Sequence, residues 1–153
     1  MQRRGTERLG DRYALTVERE IPGPIEAVFD AWLDAATMAR WMTPAPDISV
    51  DVTSDPVVGG RFRVVMKGRG RELTHIGEYL VIERPTRLVF TWQSEPAGDT
   101  LVTVEFTRVA DQRTLVTLTH ERFATGEQRD LHRGGWTALL ETPAGGITEM
   151  EAR

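Results

Sequence analysis

The sequence predicts an α+β fold of two layers, an antiparallel sheet crossed by a C-terminal helix. Three observations carry that reading. Residues 114–120 place Val116, Leu118 and His120 on one face and Leu115, Thr117 and Thr119 on the other, the period-two signature of a strand. The chain then changes period: Thr125 stands three residues before Gln128, a capping-box pattern, and Leu131, Gly135 and Leu139 recur every fourth residue, as on one face of a helix. Further alternating runs upstream are separated by short turn signals, so their strands pair as a meander of about six to seven strands.

The elements follow in order. Residues 1–12 hold Arg3, Arg4, Arg8 and Arg12 with little that is apolar and read as a disordered tail, leaving 13–153 as a single domain. Leu15, Val17 and Arg19 alternate with Thr16, Glu18 and Glu20 in a first strand, which Pro22-Gly23-Pro24 stops. Pro24 suits the first position of a helix, where no amide partner is required. Ile25, Val28, Phe29 and Trp32 then form an i, i+3, i+4, i+7 face, and a second short helix runs from Asp34 to Met42 with Met38, Trp41 and Met42 inward. Strands follow around Ile48–Thr53, Phe62–Met66, His75–Ile82, Leu88–Gln93 and Val102–Phe106. Gly59-Gly60, the polar loop Lys67–Glu72, Glu83–Thr86, Ser94–Asp99 and Ala110–Gln112 separate them. Pro143 and Gly145-Gly146 predict that the last helix kinks or stops near Thr142, with Ile147 and Met150 available to cover its end.

Composition narrows the function. A net charge of -4 with no basic run in the folded part argues against nucleic-acid binding, which rests on phosphate neutralisation. The absence of cysteine excludes disulfides and thiolate chemistry and suits a cytoplasmic protein. No run approaches the roughly 18 apolar residues of a membrane span. The three histidines lie on separate elements without metal-ligand spacing, so neither a metal nor another cofactor is expected, and no catalytic constellation is defined.

Several segments together resemble the START-like (SRPBCC) superfamily, in the branch named for the activator of the heat-shock protein 90 ATPase. They are R-E-I-P-G-P-I-E-A-V-F-D-A-W (19–32), A-R-W-M-T-P (39–44), V-G-G-R-F (58–62), G-E-Y (77–79), R-L-V-F-T-W (87–92), L-T-H-E-R-F (118–123) and G-W-T-A-L-L (135–140). The resemblance implies a helix-grip fold, with the sheet wrapped around the C-terminal helix and a hydrophobic cavity between them. It further implies binding of lipids, polyketides or aromatic compounds, cyclase or aromatase activity in some members, and a chaperone as protein partner in the eukaryotic activator.

A cavity under one narrow helix is also expected on geometry, because a curved sheet of this size is hard to seal. Trp32, Trp41, Trp92 and Trp136 would supply flat apolar walls, joined by Phe62, Phe90 and Leu140, with Met66 as an adaptable neighbour. His120, on the inward face of the last strand, and Tyr79 are the polar groups that could orient a ligand or serve as acid and base; the alternative for His120 is a buried ring satisfied by backbone or by Tyr79. His75 shares the face of Gly77 and Tyr79, whereas His132 is expected to face solvent. Arg19 is expected inside, paired with Glu78 or Glu105. Gly135 is expected to let helix and sheet approach closely. The leading expectation is binding of a small hydrophobic molecule; a cofactor-free cyclase using His120 or Tyr79 and a chaperone-associated interaction module are the alternatives.

Overall fold

A computed structural model describes residues 8–9, 12–43, 45–94 and 98–141. The chain forms β1 (Arg8–Leu9), β2 (Arg12–Pro22), α1 (Ile25–Asp30), α2 (Ala35–Trp41), β3 (Ser49–Ser54), β4 (Arg61–Gly68), β5 (Arg71–Glu83), β6 (Arg87–Ser94), β7 (Gly98–Ala110), β8 (Arg113–Phe123) and α3 (Gly126–Glu141). All strands join one antiparallel sheet in the order β1-β2-β8-β7-β6-β5-β4-β3. The α+β helix-grip arrangement expected from the sequence is the observed one. Within the expected tail, only Arg8 and Leu9 are described before β2, and they pair back onto Arg12 and Tyr13.

Each helix is set by local chemistry. Pro24 is the N-cap of α1, one residue earlier than its expected position, and Ile25, Val28 and Phe29 are buried as their spacing requires. Asp34 caps α2, accepting from the Thr37 amide at 2.9 Å and the Thr37 hydroxyl at 2.6 Å. These bonds hold its carboxyl below the ordinary aspartate range. Thr125 accepts from the Gln128 amide at 3.2 Å and opens α3.

The hairpin loop expected over Lys67–Glu72 is a hairpin, with a turn shorter than expected. Lys67 pairs with Glu72 and Gly68 with Arg71, leaving Arg69 and Gly70 as the turn. Both have positive φ, 56° and 73°, the geometry of a two-residue turn that follows the sheet's twist. Arg69 is held in place by a bidentate pair with Asp47 at 2.7 and 2.9 Å. The consequence is that β5 begins four residues earlier than its apolar alternation suggests.

Helix α3 packs mainly on β2, with fewer contacts to β8, while α1 covers part of β7 and β8 and α2 lies against β3. The concave face of β4, β5 and β6 is therefore left to side chains from α1, α2 and the connecting turn. Trp32 packs on Trp41 with centroids 4.6 Å apart and meets Phe106 and Trp136 at 6.3 and 6.0 Å. Such pairs add about 0.5–1.5 kcal/mol each beyond burial.

Three sequence expectations are corrected. Arg19 lies at the rim, with its side chain 44% exposed, and pairs with Glu141 of α3 at 3.6 Å. Its strand position faces the helix as expected, but the helix end leaves it in water, where no buried partner is required. Leu131 is 63% exposed. Gly135 gives no close approach: a Cβ placed there would meet nothing within 4 Å. The glycine that does permit close packing is Gly77, where a Cβ would lie 2.0 Å from the Thr91 carbonyl oxygen and 2.4 Å from the Phe62 ring.

These two glycines should respond oppositely to alanine. Gly77→Ala is expected to cost about 3 kcal/mol through forced overpacking against backbone. Gly135→Ala should stabilise the protein by about 0.5–1 kcal/mol, because it removes a mid-helix glycine without a clash. Urea unfolding of the two variants checks both signs; equal and small shifts would refute the packing assignment.

Candidate functional site

The space between the helices and the sheet divides into a filled interior and an open groove. In the interior, Trp32, Met38 and Met42 meet Phe62, Tyr79 and Phe90 around a residual void of only about 10 Å3. Trp41 is 1% exposed, and its Nε1 donates to the Ala31 carbonyl at 2.7 Å. Leu140 is buried in the same core. Of the candidate residues, these six (Trp32, Trp41, Phe62, Tyr79, Phe90 and Leu140) lie outside the opening beside α3.

That opening is a groove of about 330 Å3 between α3 and the ends of β4, β5 and β6. Met66, Trp92 and Trp136 of the candidate set line it, together with Leu139, Gly135 and the exposed Leu131. The i, i+4, i+8 face read from the sequence is thus the helical wall of the groove, and only its Leu139 end is buried. Because Gly135 carries no side chain, the wall is recessed at its centre. From the sheet side, β5 contributes Arg71, Leu73 and His75 at alternate positions, and β6 contributes Trp92 and Ser94. Arg71 and Leu73 escaped the sequence reading because the expected strand began only at His75; carrying its alternation back two more steps would have found them.

His120 sits directly behind this wall with zero exposure. Trp136 Nε1 donates to its Nδ1 at 3.0 Å. An indole nitrogen can only donate, so Nδ1 must be unprotonated and the ring proton must lie on Nε2. Nε2 is 2.6 Å from Thr100 Oγ1, which therefore accepts, and Thr100 passes its own proton to the Trp92 carbonyl at 2.6 Å. Both imidazole nitrogens are committed. The partners are Thr100 and Trp136 instead of Tyr79, whose hydroxyl lies 2.8 Å from Ser54 Oγ. Burial raises the Tyr79 pKa, opposed by the Ser54 bond.

His132, expected in solvent, is half-buried against the site. Its ring meets His120 edge-on at 5.3 Å and Phe123 at 4.9 Å, while its Nδ1 lies 2.8 Å from the Gln128 carbonyl. His75 stacks on Trp92 with centroids 4.7 Å apart. Three groove residues also hold buried polar atoms that find no partner among the described residues: His75 Nδ1, Trp92 Nε1 and Ser94 Oγ. Each such atom ordinarily costs about 1–3 kcal/mol.

No group of side chains suited to a metal ion occurs among the described residues. No described helix is long and apolar enough to cross a membrane. A second concavity, about 600 Å3, opens on the outer face of the sheet, and its walls include Arg61, Arg63, Glu78 and Gln93. Its lining mixes these polar side chains with Phe62 and Ile76, whereas the groove is walled mainly by apolar ones.

All three histidines are held toward the neutral form. Burial pushes His75 down to about 4, with His132 contributing repulsion. Burial, then repulsion from His132 and His75, holds His120 well below the usual imidazole range. His132 is lowered by burial, against the opposing Gln128 bond. An unfolded histidine takes up its proton near about 6.5. Between that pH and about 4 the unfolded chain binds more protons than the folded one, so stability must fall as pH drops through the window. The Asp34 and Asp47 carboxylates, held low, act only below 3.8. Urea midpoints should therefore decline on acidification from about pH 6.5. A flat profile, or a His120 ring resonance titrating at ordinary pH, would contradict this arrangement.

The comparisons with known proteins agree with this architecture. The model of the family described as activator of Hsp90 ATPase homolog 1-like protein matches residues 22–142. An AHSA1-like protein from Aeromonas hydrophila is 26% identical with a TM-score of 0.73, covering 91% of this chain and 96% of its own. A protein from Rhodobacter sphaeroides is 25% identical with a TM-score of 0.76, covering 91% and 92%. A protein from Chromobacterium violaceum shares the fold at 22% identity, TM-score 0.77, covering 86% and 95%. No curated protein matches at comparable significance. The family match spans both short helices, strands β3 to β8 and the groove-forming terminal helix, and the chain accordingly belongs to the activator of Hsp90 ATPase homolog 1-like family, a branch of the START-like superfamily.

Proposed function

We propose that this protein binds a small hydrophobic molecule in the groove between α3 and the sheet. The observation that carries the reading is the groove itself: about 330 Å3, walled by Met66, Leu73, Trp92, Trp136 and Leu139, in a domain whose remaining interior is filled. That volume lies at the lower end of small-molecule sites, above the ~150 Å3 that accommodates one benzene ring. The rings of Trp92, Trp136 and His75 favour a flat aromatic ligand over a flexible chain. The cytoplasm, in a chain without cysteine, is the setting we propose for it.

An acid–base enzyme acting through His120 or Tyr79 has less support. Both His120 nitrogens are engaged, and Tyr79 lies in the filled interior with its hydroxyl bonded to Ser54. A chaperone-linked role carries over from the family description alone.

Tryptophan fluorescence titrated with fatty acids, flavonoids and polyketides tests the proposal. Binding in the micromolar range is expected, because Trp92 and Trp136 face the groove. Gly135→Leu should abolish it while leaving the fold intact, since the new side chain grows from a Cβ position with nothing within 4 Å into the recess. Unchanged binding in that variant would sink the assignment of the site.

A further inference from the structure

Polar groups along the groove are arranged by position on β5 and β6. Arg71, Leu73 and His75 succeed one another on one face of β5, and His75 pairs across to Ser94 of β6. The order from mouth to floor is a cation, an apolar stretch, then neutral polar groups. Arg71 is exposed at the mouth and has no ion pair among the described residues. Leu73 faces Met66 across the ladder, with Leu131 and Leu139 on the helix side. At the floor, His75 Nδ1 and Ser94 Oγ are the unpartnered atoms noted above, joined by Trp92 Nε1.

We infer that the groove's ligand is an aromatic carboxylic acid carrying a second polar group at its far end. The carboxylate meets Arg71, and a hydroxyl or carbonyl reaches the His75–Ser94 floor. This rests on the groove-binding reading and goes further by assigning polarity and orientation. A carboxylate is the partner that a guanidinium recognises bidentately. A hydroxyl or carbonyl suits the floor because His75 is neutral and Ser94 can turn its hydroxyl about a single bond to donate or accept. Four residue steps along the strand lead from Arg71 to His75, about 13 Å of backbone at ~3.3 Å per residue. A two-ring arene, met by an arginine side chain reaching inward, spans that interval and fits the volume.

Calorimetric titration with three probes tests the inference: 6-hydroxy-2-naphthoic acid, its methyl ester, and 2-naphthoic acid. The hydroxy acid should bind about tenfold tighter than its ester, a difference of one decade in Kd. Arg71→Gln should erase that difference, while the ester's affinity stays unchanged. The hydroxy acid should also exceed 2-naphthoic acid by several-fold, and Ser94→Ala should remove that advantage. Equal binding of acid and ester, or an acid preference that survives Arg71→Gln, overturns the inference but leaves groove binding intact. Failure of all three probes overturns the inference alone if any of the fatty acids, flavonoids or polyketides still binds, and both readings if none does. Arg71 is exposed and Ser94 is a small side chain, so both variants should fold; circular dichroism verifies this before titration.

Discussion

One proton-ordered chain fixes the geometry of the whole concave face. It runs from the Trp136 indole to His120, from His120 to Thr100, and from Thr100 to the Trp92 carbonyl. Its members stand on α3, β8, β7 and β6, so it ties the terminal helix to three consecutive strands. Each bond has only one allowed direction, because the indole can donate but not accept. A protonated His120 would lose its acceptor for Trp136, and the chain would break at the helix. Neutrality of that ring is thus a structural requirement, and burial among Phe123, Trp92 and Trp136 enforces it.

The same chain determines where space remains. Trp136 is held against Trp32 on one side and Trp92 on the other, at 6.0 and 5.1 Å. These three rings form a partition. On one side of it, α2 and the turn that joins it to α1 deliver Trp32, Met38 and Met42 into the curve of the sheet and fill it. On the other, α3 offers Leu131, His132, Gly135 and Leu139 beside Trp136, and Gly135 contributes no bulk. The groove is the consequence of a helix anchored on β2 and β8 while β4, β5 and β6 curl around beyond its reach.

Much of this was legible in the sequence, and the losses have physical causes. The order of elements along the chain, both short helices and most inward residues followed from periods of two and 3.6, because each element buries one continuous face; the pairing of β2 with β8 did not. Trp92, Met66 and Trp136 were named as ligand candidates and line the groove; Trp32, Trp41, Phe62, Tyr79, Phe90 and Leu140 lie in the filled interior. Periodicity reports which face is inward but not whether the inward space is full, so the two groups could not be separated. Arg71 was hidden by its setting: K-G-R-G-R-E reads as a loop by composition, yet Arg69 and Gly70 suffice for the turn. His132 was misplaced because its burial comes from the neighbouring helix turn and from β8, contacts that no local pattern encodes. The expected helix stop near Thr142 and the cover by Ile147 and Met150 lie outside the described residues.

The partition also explains how one domain can combine a stable core with a binding surface. The interior aromatics are interlocked and leave almost no void, so that half can lose little and gain little from a ligand. The groove half has the opposite balance. Leu73 and Leu131 stand 40% and 63% exposed, and His75, Trp92 and Ser94 keep polar atoms without a partner among the described residues. Covering apolar area and satisfying those atoms are both favourable steps that the described residues leave open. A ligand that does both stabilises the folded form by its own binding energy without requiring the core to move. The unsatisfied state of the groove and the rigidity of the relay behind it are therefore complementary: one supplies the driving force for association, and the other keeps the wall in place to receive it.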